Sequence, residues 1–388
     1  MQPYPRRNPL IQKIQQKNPG GGVGGRLEPP SPILTLMRYG FWLPVFGGWL
    51  RNIDNEQMPA TFDYVRDLCT RAESLGYDLT LIAELNLNDI KGVEADSLDA
   101  VTTTAALAAV TRKLELMVAV RPTFHNPALL AKQAANIDRI SGGRLSLNVV
   151  SSWWRDEATK YGIPFDEHDD RYARTSEWLD VLSGCWAQQG TTFSGRFYDV
   201  KDNILSPKPM PRRTYSRAPE GLTRPTLYAG GESETAKNLI AAKCDAYLMH
   251  GDDPSTIAAK VADMKQRRAK HSDLQPLIFG VTGYCIVRDS EAEANREVER
   301  ITAQPDPTQS PAGFANFQQW ITGSQLEKKL SLRDYSVSNR GLYSGLIGTP
   351  EHVKQRLADF EGAGCSLVLL QSSPQHDEMA RFSSQVMH

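Results

Sequence analysis

The sequence predicts an α/β protein built as an eight-stranded (β/α)8 TIM barrel, and three observations carry that expectation. Short apolar runs alternate with longer helical patterns from Met37 to the C-terminus, as βα units around a parallel sheet do. Eight such runs can be counted, and no glycine-rich phosphate turn follows the first, which favours a closed barrel over an open doubly wound sheet. A chain of 388 residues with 40% hydrophobic content can bury a core of that size.

The first strand is read over 38–45, "RYGFWLPV", and residues 58–76 follow as a helix, with Pro59 suited to its start and Gly76 to its C-cap. A second strand at 79–84, "LTLIAE", precedes a helix at 97–113 for which Ser97 is the N-cap candidate. The third run, "LELMVAVRP", leads into a helix at 126–143, where Asn126 caps, Pro127 sits at the first helical position and a paired glycine ends the element. The fourth is "LNVV", an aliphatic run of the kind buried on both faces. Later strands are expected at 225–230, 245–251, 277–289 and 366–371, with helices near 170–187, 233–243, 254–270, 290–303, 350–362 and 374–387.

Two connections exceed ordinary loop length, about 188–224 and 304–349, and read as insertions after the fourth and seventh strands. "TTFSGRFYDV" in the first reads as a hairpin, and the second reads as a lid over a site. Residues 1–35 are rich in Pro, Gly and Gln and are expected to have no fixed structure, leaving 36–388 as one barrel domain. Their "GGGVGG" meets a dinucleotide-binding spacing but lacks the strand and helix that motif needs. A transit peptide is the other reading of this segment.

Lys plus Arg at 44 against Asp plus Glu at 45 leaves a net charge of −1, without the basic excess of a nucleic-acid binder. The five cysteines, Cys69, Cys185, Cys244, Cys285 and Cys365, are odd in number and free of CxxC spacing. They point to buried thiols in a reducing compartment, the cytoplasm. No apolar run reaches membrane-spanning length, so no membrane partner is expected. Metal-protease, nucleophile-elbow and Walker patterns are absent, so a bound organic cofactor is the expected source of reactivity.

In a barrel of this kind the active site lies at the C-terminal ends of the strands. Those ends read Ala83-Glu84, Arg121 to His125, Ser151-Ser152-Trp153, Gly231-Glu232-Ser233, His250-Gly251 and Gln371-Ser372. Ser151, Ser152 and the tryptophans after them suit either a wall beside a flat ligand or a packed Trp pair at a strand end. "AGGES" offers Gly231 for close backbone approach and a helix N-terminus at Ser233 suited to a phosphate, or else an ordinary capped turn. His250 and His125 stand at strand ends where either could meet a ligand.

From about residue 37 onward, "AALAAVTRKLELMVAVRP", "NPALLAKQAANIDRISGGRLSLNVVSSWW", "DEHDDRYARTSEWLDVLSGCW", "PTLYAGGESETAK" and "GLIGTPEHVKQRLADFEGAGCSLVLL" resemble the bacterial-luciferase-like flavin monooxygenases. The dimethyl sulfone and alkanesulfonate branches are the most similar, with pyrimidine oxygenase more distant. The resemblance implies a two-component enzyme. Reduced FMN from a separate NAD(P)H-dependent FMN reductase would activate O2 as a flavin (hydro)peroxide and oxygenate a small organosulfur compound. It also implies a homodimer or homotetramer. Carried over residue by residue, it puts the flavin ring near Ala83 and Glu84, with Asn148 and Glu157 on its polar edge and ribityl chain. Arg171 and Tyr172 would meet the cofactor, Ser233 and Gly231 the phosphate, and Ser151 and Ser152 one pocket wall. Arg340 lies within one position of the loop arginine that the sulfonate enzymes place over the cofactor.

The chain departs from the sulfonate pattern at the seventh strand, where Thr282-Gly283-Tyr284 replaces Arg-x-His. "LNLNDIKG" and Ser373 replace a loop cysteine and a tyrosine. Thr282 and Tyr284 are therefore expected to donate neutral hydrogen bonds to a sulfone, with an alkanesulfonate as the other candidate substrate. A deazaflavin- or FMN-dependent oxidoreductase on the same barrel, an oxygenase of an N-heterocycle and a non-catalytic flavin-binding barrel are the competing readings.

Overall fold

A computed structural model describes residues 37–53, 55–187, 190–210, 223–303 and 336–388. Eight parallel strands close a barrel: β1 (Arg38–Leu43), β2 (Leu79–Ile82), β3 (Glu115–Val120), β4 (Leu145–Val149), β7 (Thr226–Gly230), β8 (Ala246–Met249), β9 (Ile278–Tyr284) and β12 (Leu367–Gln371). Pairing of Arg38 with Leu367 and of Gly40 with Leu79 joins the first strand to both neighbours and completes the ring. The expected fold is the observed one.

Side chains alternate across each strand, so one set fills the barrel and the other meets the helices. Leu79, Leu81, Met117, Tyr228, Leu248 and Leu369 belong to the interior cluster. Below them Arg38 donates to Glu115 at 2.7 Å, and the Tyr228 hydroxyl lies 3.3 Å from the same carboxylate, so the interior charges are paired. The outer set packs under α1 (Phe62–Leu75), α2 (Ala100–Val110), α3 (Pro127–Ser141), α5 (His168–Trp186), α6 (Glu234–Lys243), α7 (Pro254–Arg268), α8 (Glu291–Thr302), α9 (Pro350–Gly362) and α10 (Gln375–Phe382). A short α4 (Arg155–Lys160) follows the fourth barrel strand. All five cysteine thiols are free and buried.

The caps explain where the helices begin. Asn126 accepts from Ala128 and Leu129 N–H, with Pro127 behind it, and Gly76 and Gly142 end their helices with positive φ. Two starts differ from expectation. Thr61, not Pro59, caps α1, and Asp99, not Ser97, caps α2, while Ser97 donates to the Leu85 carbonyl at 2.7 Å. In both cases the side-chain acceptor two residues further along fits the first turn.

The hairpin in the first long connection is present as β5 (Thr191–Ser194) and β6 (Asp199–Asn203). The seventh expected strand, 277–289, is divided: β9 ends at Tyr284, and β10 (Ile286–Val287) leaves the barrel to pair with β11 (Ile347–Gly348). The expectations for residues 1–35 and for 304–335 of the lid lie outside the described residues. Of that second connection, a 3-10 helix at Ser338–Ser344 and β11 are described. No helix among the described residues is long and apolar enough to cross a membrane.

Candidate active site

Three groups of side chains meet at the C-terminal ends of the barrel strands. The first joins β2, β3 and α4. Arg121, 1% exposed, sends its backbone N–H to Glu84 Oε2 at 2.7 Å, its Nε to the same oxygen at 3.3 Å and its Nη2 to Glu157 Oε1 at 3.2 Å. Its Nη1 bonds Glu157 Oε2, and the guanidinium lies 3.9 Å from the centre of the Phe124 ring. Glu157 Oε1 also accepts from Asn86 N–H at 2.6 Å, and Glu84 Oε1 contacts His125 Nε2. Every carboxylate oxygen here is engaged, as buried charges require.

The second group lies at the N-terminus of α6. Ser233 caps the helix by accepting from Ala236 N–H at 3.2 Å. A side chain at Gly231 would meet Ala236 Cβ at 2.6 Å and the Tyr172 hydroxyl at 3.3 Å, so glycine is what permits the close turn. Burial raises the Tyr172 pKa, while its hydrogen bond with Ser233 works the other way. Arg171 donates Nη1 to the Asp166 carbonyl at 2.8 Å, its guanidinium lies 4.7 Å from the Phe165 ring centre, and its Nε has no partner among the described residues.

The third group gathers Glu232, His250, Lys260 and Arg340. The Arg340 Nη2 bonds Glu232 Oε1, and Lys260 Nζ reaches the same oxygen at 3.0 Å. His250 Nδ1 lies 3.3 Å from Arg340 Nη2. Burial disfavours the charged form of Glu232, but His250, Arg340 and Lys260 outweigh it and hold the carboxyl well below its usual range. The Arg340 side chain is 1% exposed, yet its Nε and Nη1 have no partner among the described residues. Its backbone has φ +52 and presses on Gly251, where a Cβ would come 2.5 Å from the Arg340 carbonyl oxygen.

Between these groups stand the residues that follow β4. Ser152 has φ +47, a strained conformation of the kind held at functional sites, and a buried Oγ without a partner among the described residues. Asn148 Oδ1 is likewise buried and without a partner among the described residues, whereas Ser151 bonds Thr175 at 3.0 Å. Trp153 and Trp154 stack at 5.6 Å with an interplanar angle of 8°. The Trp pair is thus both packed and set at the strand end.

The structure brings most of the expected residues to this mouth. Glu84 and Glu157 do not offer free oxygens to a ligand, because Arg121, His125 and the backbone after β2 occupy them. They position the mouth. Tyr284, 1% exposed, ends β9 paired with Gln371, lies against Gly341 of the loop that carries Arg340, and has a buried hydroxyl without a partner among the described residues. Burial, and then Glu56, Glu297 and Glu378, push its hydroxyl pKa well above the usual phenol value. Thr282, paired with interior Leu369, faces inward, with its carbonyl beside Gly251. Ala83, 8% exposed, ends the second barrel strand as expected.

The matching family model is that of the luciferase-like monooxygenases, over residues 37–367. The chain belongs to that family. The enzyme is 32% identical to the FMNH2-dependent dimethylsulfone monooxygenase of Pseudomonas putida, covering 86% of this chain and 89% of the relative. It is 31% identical to the protein of the same name from Pseudomonas fluorescens, covering 90% and 93%. A crystal structure of a long-chain alkane monooxygenase superposes with a TM-score of 0.74 at 18% identity, covering 90% of each chain, which supports the fold. For this luciferase-like monooxygenase, sequence reasoning gave Glu232 and Lys260 no role. The available signal was a charged residue wedged between the two special positions of "AGGES", Gly231 and Ser233.

Proposed function

We propose that this enzyme binds reduced FMN supplied by a separate NAD(P)H-dependent reductase and uses O2 to oxygenate a small neutral organosulfur compound of the dimethyl sulfone kind. The observation that carries the cofactor reading is a set of buried polar atoms at the mouth without partners among the described residues: Thr123 Oγ1, Asn148 Oδ1, Ser152 Oγ and Arg171 Nε. Buried polar atoms are nearly always satisfied, so acceptors and donors waiting together mark a polar ligand. Asn148 Oδ1 suits a ring N–H, the two hydroxyls suit the polar chain, and Arg171 with the α6 N-terminus suits a phosphate. When bound, reduced flavin supplies the two electrons that O2 activation needs.

The chain's own residues have three tasks. Arg121, Glu84 and Glu157 fix the ends of β2, β3 and α4 so that the polar atoms hold their positions. Trp153 and Phe124 limit water at the reacting face. Thr282 and Arg340 offer donors to sulfonyl oxygens. The names of the relatives support the sulfone among organosulfur substrates. Purified protein given reduced FMN, air and dimethyl sulfone should yield an oxygenated product. Turnover of N-heterocycles alone, or reduction of a substrate with a deazaflavin, would replace this reading.

A further inference from the structure

The Arg340 guanidinium is the mouth's strongest candidate for binding a sulfonyl group, and its charge is already answered. Glu232 Oε1 takes Nη2, leaving Nε and Nη1 as buried donors without a partner among the described residues. Around that contact stand Lys260, 3.0 Å from Glu232 and 3.9 Å from Asp252, and the half-buried His250. Glu232 touches Arg340 directly, while Lys260 and His250 stand beside it and Asp252 behind Lys260. A ligand arriving at the free edge of Arg340 therefore meets hydrogen-bond donors whose positive charge a carboxylate offsets at contact distance.

From this we infer that Glu232 is a specificity-determining residue: by neutralising Arg340 it makes the site accept uncharged sulfonyl oxygens and refuse a full oxyanion. The inference rests on the neutral-substrate reading above and deepens it. A neutral sulfone needs only donors for its two oxygens. A sulfonate must also be repaid for losing its hydration, which takes an uncompensated cation nearby, and the carboxylate beside Arg340 opposes it at close range. The depressed pKa of Glu232 agrees, because the same neighbours keep it ionised. On this account the chain does not lack an arginine for sulfonates. It has one, screened by a carboxylate on the turn that carries the α6 cap.

The test is binding, read by titration calorimetry with oxidised FMN at a fixed concentration, so its outcome does not depend on turnover. Methanesulfonate is titrated into wild type, Glu232→Gln and Glu232→Gln/Arg340→Gln. Removing one nearby negative charge should tighten methanesulfonate binding about tenfold or more, and the double variant should lose that gain. A single variant that binds methanesulfonate no better than wild type overturns the proposal, as does a double variant that keeps the gain. Should Glu232→Gln not fold, wild type decides alone: methanesulfonate binding as tight as that of dimethyl sulfone overturns the proposal, and a clear preference for the sulfone sustains it. Failure of the enzyme to oxygenate any sulfone, with the anion gain still present, would instead fault the functional reading.

Discussion

Two charged clusters flank the barrel mouth, one around Arg121 and one around Arg340, and both are buried. Around Arg121 each nitrogen of the guanidinium bonds a carboxylate, and both carboxylates are used up in holding β2, β3 and α4 together. Around Arg340 a single nitrogen carries the carboxylate contact and two remain without a partner among the described residues. A saturated network makes a frame. An unsaturated one stores binding capacity, because its leftover donors cost free energy until a ligand accepts them. The same residue type therefore serves scaffold and site, and the count of satisfied atoms tells them apart.

The sharpest way to break this contrast is Arg121→Leu, which strands two buried carboxylates. Its expected cost is about 3–5 kcal/mol of folding stability, read as a fall in the urea midpoint. A loss under about 1 kcal/mol would show that the frame does not depend on this arginine.

Next in size is Ser233→Asp. Aspartate caps a helix as well as serine does, so stability should hold, but its charge opposes a phosphate at the α6 N-terminus. FMN affinity should fall about tenfold while riboflavin affinity changes little. Equal losses for both ligands would move the phosphate elsewhere.

Arg340→Gln should cost stability by only about 1 kcal/mol, because Glu232 keeps Lys260 as a partner. A drop as large as that of Arg121→Leu in the same denaturation assay would erase the distinction between the clusters.

The smallest effect concerns acid. The folded-state pKa of Glu232 is lowered, so the unfolded chain binds the proton more readily. Its stabilising contribution is present above the ordinary carboxylate range and is lost as pH falls through that range toward the lower folded value. Urea midpoints measured from about pH 6 downward should decline less steeply in Glu232→Gln than in wild type. Parallel slopes would mean that the carboxyl is not perturbed.

Much of this was legible in the sequence, and the exceptions have physical causes. Asn126-Pro127, Gly76, Gly142 and Ser233 mark helix ends through local chemistry, and they are found where expected. Tyr284 pairs with Gln371 of β12, so alternation puts it on the face of Thr282, but no motif shows that Gly341 of the Arg340 loop closes on it. Glu84 and Glu157 stand at the mouth, and nothing local in the sequence shows that Arg121 engages both. Arg340, one partner of Glu232, lies 108 residues away, beyond any motif.

The seat of Arg340 has one more consequence. Its carbonyl presses on Gly251, and Gly341 approaches Tyr284 so closely that a Cβ there would stand 2.9 Å from the backbone nitrogen and 2.8 Å from the side-chain Cβ. The loop is located by main chain resting on main chain, a fit with no rotamers to absorb error. A machinist would call it a datum surface: the loop can be re-dressed with other side chains and still come to rest at the same height, whereas a single methyl group at position 251 would act as a shim and lift the arginine away from the mouth.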